Sequence, residues 1–216
     1  MTGRAGRSYY TSVMRILLAA IAATLALAGP VHAAEPVIVA FGDSLTAGLG
    51  VTPEDSYPAR LQAKVRAEGY AYRVVNAGSS GDTTAGGLRR VDWALKNKPE
   101  VVIVALGAND GLRGQDLASI RANLDGIVAR FQKAGVRVLV AGMEVPPNYG
   151  ARYAADLRRL YAEVARKRGA AFMPFLLDGV AGNPRLNQPD GIHPTAEGYR
   201  VLVDHLWPHL APLLAR

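Results

Sequence analysis

An alternation of short and long segments constrains this chain more than any other feature. Five short apolar runs, at residues 37–41, 72–76, 101–106, 137–141 and 171–174, are each followed by a loop and a longer mixed stretch. Runs of this length, rich in Val and Ile, suit strands buried on both faces. The stretches at 57–68, 117–134, 152–168 and 196–214 space their apolar residues by three and four, the mark of amphipathic helices. Strand alternating with helix implies right-handed crossovers, and hence a parallel sheet with helices on both faces. In such sheets chemistry gathers beyond the carboxyl ends of the strands. No repeat, linker or shift of composition divides the chain, so one domain over residues 35–216 is expected.

Residues 1–34 are of a different kind. Arg4, Arg7 and Arg15 occur with no acidic residue, an apolar run covers 16–28, and small residues follow at 33 and 34. This is the pattern of a cleaved signal peptide, which places the mature protein in the periplasm or outside the cell. A membrane anchor would need about 20 apolar residues, more than this run supplies. Met14 directly before Arg15 offers an alternative start. Without the three arginines the formal charge of +7 becomes +4, too modest an excess for a nucleic-acid footprint. The absence of Cys excludes disulfides, thiolate metal sites, a Cys nucleophile and a lipid-modified N-terminal Cys.

The polar clusters fall at the ends of the runs. Gly42-Asp43-Ser44 ends the first, residues 78–84 end the second, and Gly107-Ala108-Asn109-Asp110 ends the third. A fourth, Asp190-Gly191-Ile192-His193-Pro194, precedes the last helical stretch. A serine hydroxyl becomes a nucleophile only when a base takes its proton and a third group holds that base in the right tautomer. Of the four His, His32 leaves with the leader and His205 and His209 share a helical stretch. His193 alone has a carboxylate, Asp190, three residues upstream. Ser44, Asp190 and His193 are therefore the candidate triad. Candidate oxyanion donors are the Ser44 and Gly81 backbone N–H groups and the Asn109 side-chain amide.

Each signal also has a plainer reading. Ser44 could cap the helix that follows it. Asp43 and Asp110 read as structural hydrogen-bonding residues. The glycines at 78, 81, 86 and 87 lack the Gly-Lys-Ser/Thr of a phosphate cradle. His205 and His209 could offer two ligands to zinc, but no third is evident. The serine lies in Gly-Asp-Ser-Leu-Thr, not in the Gly-x-Ser-x-Gly of an α/β-hydrolase elbow.

Taken together, the stretch from Phe41 to Gly48, the glycine of Ser80-Gly81-Asp82-Thr83, Gly107-Ala108-Asn109-Asp110 and Asp190-Gly191-Ile192-His193-Pro194 resemble the four sequence blocks of the SGNH (GDSL) hydrolases, in order and spacing. Within that superfamily the chain is most similar to the bacterial thioesterase I, lysophospholipase L1 and arylesterase group, and residues 107–114 and 147–150 extend the likeness. The resemblance covers about residues 36–212. It implies a flavodoxin-like three-layer α/β/α sandwich with a five-stranded parallel sheet, no metal and no cofactor. It also implies hydrolysis of acyl esters and thioesters, with Ser44, Gly81 and Asn109 as the oxyanion hole and Asp190 and His193 completing the triad. Leu112 and Arg113, in a loop that is mobile in the family, become candidate substrate contacts, as does Pro147 in the turn at 146–148. Ala108 departs from the pattern where relatives often carry a second Gly.

The expected substrate is a small acyl ester or lysophospholipid, with at most peripheral membrane contact, no nucleic acid and a monomeric state. A carbohydrate O-acetylesterase on the same scaffold and a catalytically silent binding module are the competing readings.

Overall fold

A computed structural model describes residues 35–215; the leader segment at 1–34 lies outside the described residues. Five strands, β1 (Val37–Gly42), β2 (Arg73–Gly78), β3 (Val101–Ala105), β4 (Arg137–Ala141) and β5 (Ala171–Met173), pair in the order β2-β1-β3-β4-β5, all parallel. Every residue of β1 and β3 is buried, because helices cover the sheet on both sides and β-branched side chains pack well on a pleated surface. Seven helices connect or follow the strands: α1 (Ser44–Ala47), α2 (Tyr57–Ala67), α3 (Thr84–Leu95), α4 (Ala108–Leu112), α5 (Leu117–Lys133), α6 (Ala151–Arg168) and α7 (Ala196–Leu210). Helices α2 and α7 pack together on one face, while α5 packs against both α3 and α6 on the other. The expected flavodoxin-like three-layer sandwich is the fold observed.

Helix α3 has no counterpart in the periodicity, because Gly86 and Gly87 weaken its apolar pattern and its intrinsic helix propensity. Packing explains Gly87: a Cβ there would come within 2.3 Å of the Leu106 side chain. The last helical stretch divides into α7 and a 3₁₀ turn at Ala211–Leu213, with Pro208 inside α7. Proline removes a backbone donor and loosens the final turns.

The core runs through both helical layers. Phe41 of β1 meets Phe131 of α5 edge-to-face at 5.4 Å between ring centroids, and both rings are fully buried. Each such side chain contributes about 1.5–3 kcal/mol by leaving water. The strand order matters for function. From β1 the chain crosses to one side to make β2 and then to the other to make β3, so a crevice opens beyond the carboxyl ends of β1 and β3.

Candidate active site

The first strand delivers Ser44 to that crevice. Asp43 is the N-cap of α1, its carboxylate accepting the Leu45 N–H at 3.0 Å, so the cap belongs to Asp43 and not to Ser44. The Ser44 hydroxyl, in the first turn, meets His193 instead, with Oγ 2.9 Å from Nε2. His193 Nδ1 lies 2.7 Å from Asp190 Oδ2. The other Asp190 oxygen accepts the backbone N–H groups of Ile192 and His193, each at 3.0 Å. Partial burial works against the Asp190 charge, yet these N–H groups and the imidazole together hold its carboxyl below the usual carboxylate range. An ionised Asp190 fixes the proton on Nδ1 and leaves Nε2 as an acceptor facing Ser44.

The three candidate oxyanion donors follow the ends of β1, β2 and β3; Ser44 and Asn109 line the cleft, and Gly81 precedes Asp82, whose carbonyl accepts from Asn109. Neither the Ser44 N–H nor the Gly81 N–H has a hydrogen-bond partner among the described residues, so both donors are open. Gly81 is required by its backbone, with φ at +79°, and not by crowding, since a Cβ there would meet nothing within 4 Å. The Asn109 amide nitrogen donates to the Asp82 carbonyl at 3.0 Å and to Asp43 Oδ2 at 3.3 Å. Two acceptors flanking one end of the amide fix that end as nitrogen, and Asn109 lines the cleft beside Ser44.

Asp43 is completely buried, and desolvation pushes its carboxyl up to about 6 despite the bonds from Leu45 and Asn109 and the charge of His193. Asp110 accepts both the N–H and the hydroxyl of Thr84, at 2.9 and 2.6 Å. It thereby ties α4 to the start of α3, the structural part expected of it.

Beside Ser44 opens a cleft of about 450 Å³ whose lining includes Leu45, Leu112, Met143, Phe175, Leu177 and Ile192. Two carboxylates line it and both are held: Asp43 accepts from Leu45 and Asn109, and Glu144 is forked by Arg158 at 2.8 and 2.9 Å. Leu112, a candidate substrate contact, is part of this lining. Arg113 does not line the cleft; its guanidinium donates to the Gly81 carbonyl at 3.3 Å. Pro147 begins a 3₁₀ turn and its side chain lies outside the described residues, while the neighbouring Pro146 lines the cleft. Met143, Phe175, Leu177 and Ile192 escaped the sequence reading, since apolar residues in loops carry no sign of the cavity they enclose. His205, weighed as a metal ligand, faces Asp178 at 3.3 Å.

Comparison with known proteins agrees with this geometry. The chain is 43% identical over 202 residues to "Esterase TesA" of Pseudomonas aeruginosa, covering 93% of this chain and 100% of that protein. It is 34% identical over 183 residues to "Thioesterase 1/protease 1/lysophospholipase L1" of Escherichia coli, covering 84% and 86%. The crystal structure of TesA superposes with a TM-score of 0.80 at 43% identity, over 82% of this chain and 99% of that one. Residues 40–201, which carry all four sequence blocks, match the GDSL-like lipase/acylhydrolase family. The chain belongs to that family.

Proposed function

We propose that the protein is an exported serine esterase that cleaves acyl esters and thioesters through an acyl-enzyme on Ser44. The observation that carries this reading is the continuous relay from Ser44 Oγ through His193 to Asp190, at 2.9 and 2.7 Å, opening into the apolar cleft. The acyl chain occupies the cleft with its carbonyl carbon above Ser44. As Oγ attacks, His193 Nε2 takes the hydroxyl proton, and Asp190 holds the imidazolium by Nδ1–H. Negative charge develops on the carbonyl oxygen, towards the Ser44 and Gly81 N–H groups and the Asn109 amide. Collapse expels the alcohol or thiol, which takes the proton from His193. Water then repeats the sequence on the acyl-enzyme and frees Ser44.

Both curated relatives carry names that speak of esterase, thioesterase or lysophospholipase activity, which supports this substrate range. The size and apolar lining of the cleft favour acyl chains of several carbons over acetyl groups on a glycan. Export rests on the leader pattern at residues 1–34, and it favours lysophospholipids and simple esters over cytoplasmic acyl thioesters as natural substrates. The test is an acyl-length series of p-nitrophenyl esters together with fluorophosphonate labelling. Hydrolysis rising beyond acetyl and a label on Ser44 are expected. Exclusive use of acetylated glycans, or a label elsewhere, overturns the reading.

A further inference from the structure

We propose that Arg90 is a positioning residue that sets the geometry of the oxyanion pocket without touching substrate. The proposal rests on the esterase reading above. Arg90 projects from α3 with its guanidinium mostly buried, and each of its three nitrogens is used. Nε donates to Asp82 Oδ2 at 2.6 Å, Nη1 to the Ala77 carbonyl at 2.7 Å and Nη2 to the Gly42 carbonyl at 2.7 Å. Its central carbon lies 4.0 Å above the centre of the Phe41 ring.

These contacts reach each of the three oxyanion donors. Gly42 lies two residues before Ser44, so the grip on its carbonyl fixes the backbone leading to the Ser44 N–H. Asp82 follows Gly81 directly, and its carboxylate also accepts the Thr83 N–H at 3.0 Å, so Arg90 anchors the turn that presents the Gly81 N–H. The Asp82 carbonyl is the acceptor for Asn109 at 3.0 Å, so the same turn orients the amide. One planar cation thus holds the ends of β1 and β2 and the turn after β2 in a single register. The fork is specific to Arg: the ammonium of Lys has no planar donor array to match three acceptors at fixed angles. Removing the cation leaves the mostly buried Asp82 Oδ2 without its partner and takes one donor from each of two strand-end carbonyls, and the turn must shift to rehydrate them.

A purely structural part would lower stability and leave the turnover of folded enzyme alone, so the test separates the two. Steady-state kinetics on a p-nitrophenyl ester are measured for Arg90→Lys, Arg90→Gln and Asp82→Asn, each with and without Asn109→Ala, and expressed per mole of Ser44 labelled to completion by fluorophosphonate. Single variants are expected to lose about 10- to 100-fold in kcat with KM within about threefold, because the donors act on the transition state. In the Asn109→Ala background the further loss shrinks below about threefold, since the pocket is already broken. A folded variant with kcat within about twofold of wild type, or an equal loss in both backgrounds, overturns the proposal. If the Arg90 variants do not fold, Asp82→Asn decides alone, as it leaves the two bonds to strand-end carbonyls in place. Wild-type enzyme that fails to hydrolyse esters overturns the esterase reading and this proposal with it, whereas an active wild type with additive losses overturns this proposal alone.

Discussion

Asp43 Oδ2 accepts a hydrogen bond from Asn109 Nδ2 across 3.3 Å and so joins the end of β1 to the end of β3 inside the crevice. This carboxylate is wholly buried, and desolvation lifts its pKa from 3.8 to about 6. Between those values the folded protein holds a proton that the unfolded chain has released. Stability therefore rises as pH falls from about 6 towards 4, by up to about 3 kcal/mol from this group alone. Asp190 has the opposite sign, its depressed pKa giving stability that is lost only at lower pH. Urea unfolding of wild type and Asp43→Asn across this range is the check. Wild type should gain stability relative to Asp43→Asn as pH falls from 6 to 4, and a pH-independent difference would refute the assignment.

Asn109→Ala should lower kcat by about 10²–10³ with little change in KM, because its N–H acts mainly on charge that exists only in the transition state. A kcat close to wild type would remove Asn109 from the chemistry.

Ser44→Ala and His193→Ala should each abolish turnover by several orders of magnitude, while Asp190→Asn should retain more activity than either. The carboxylate orients the imidazole and stabilises its cation but does not receive the serine proton. The opposite ranking, with Asp190→Asn inactive and His193→Ala active, would mean that the base has been misassigned.

Phe131→Ala should destabilise the domain by about 3–5 kcal/mol, since the ring is completely buried and its partner Phe41 loses an edge-to-face contact. Thermal unfolding would show a fall of many degrees. A shift of only a degree or two would mean that the neighbours close the cavity.

The parallel sheet and the pairing of Asp190 with His193 were legible in the sequence because both follow from local signals. Val- and Ile-rich runs gave four strands almost to the residue, and Asp190 and His193 lie close enough in the chain for spacing alone to pair them. What depends on segments meeting in space was hidden. Helix α3 was masked by Gly86 and Gly87, residues required by its packing and unfavourable to its propensity. With α3 unseen, Arg90 had no frame in which to matter. The resemblance implies Arg113 as a substrate contact, and only the meeting of its loop with the turn after β2 shows its guanidinium donating to the Gly81 carbonyl.

Ser44 and His193 touch across 149 positions of sequence. In a chain emerging from its amino end, the serine strand is made early, whereas its base arrives only with the loop that precedes α7. Such distant contacts close late, after the entropy of a long loop has been overcome. A nascent or clipped chain lacking the last segment carries a serine with no base to activate it. On the proposed mechanism, hydrolytic activity therefore requires the segment that carries His193 to have docked beside Ser44.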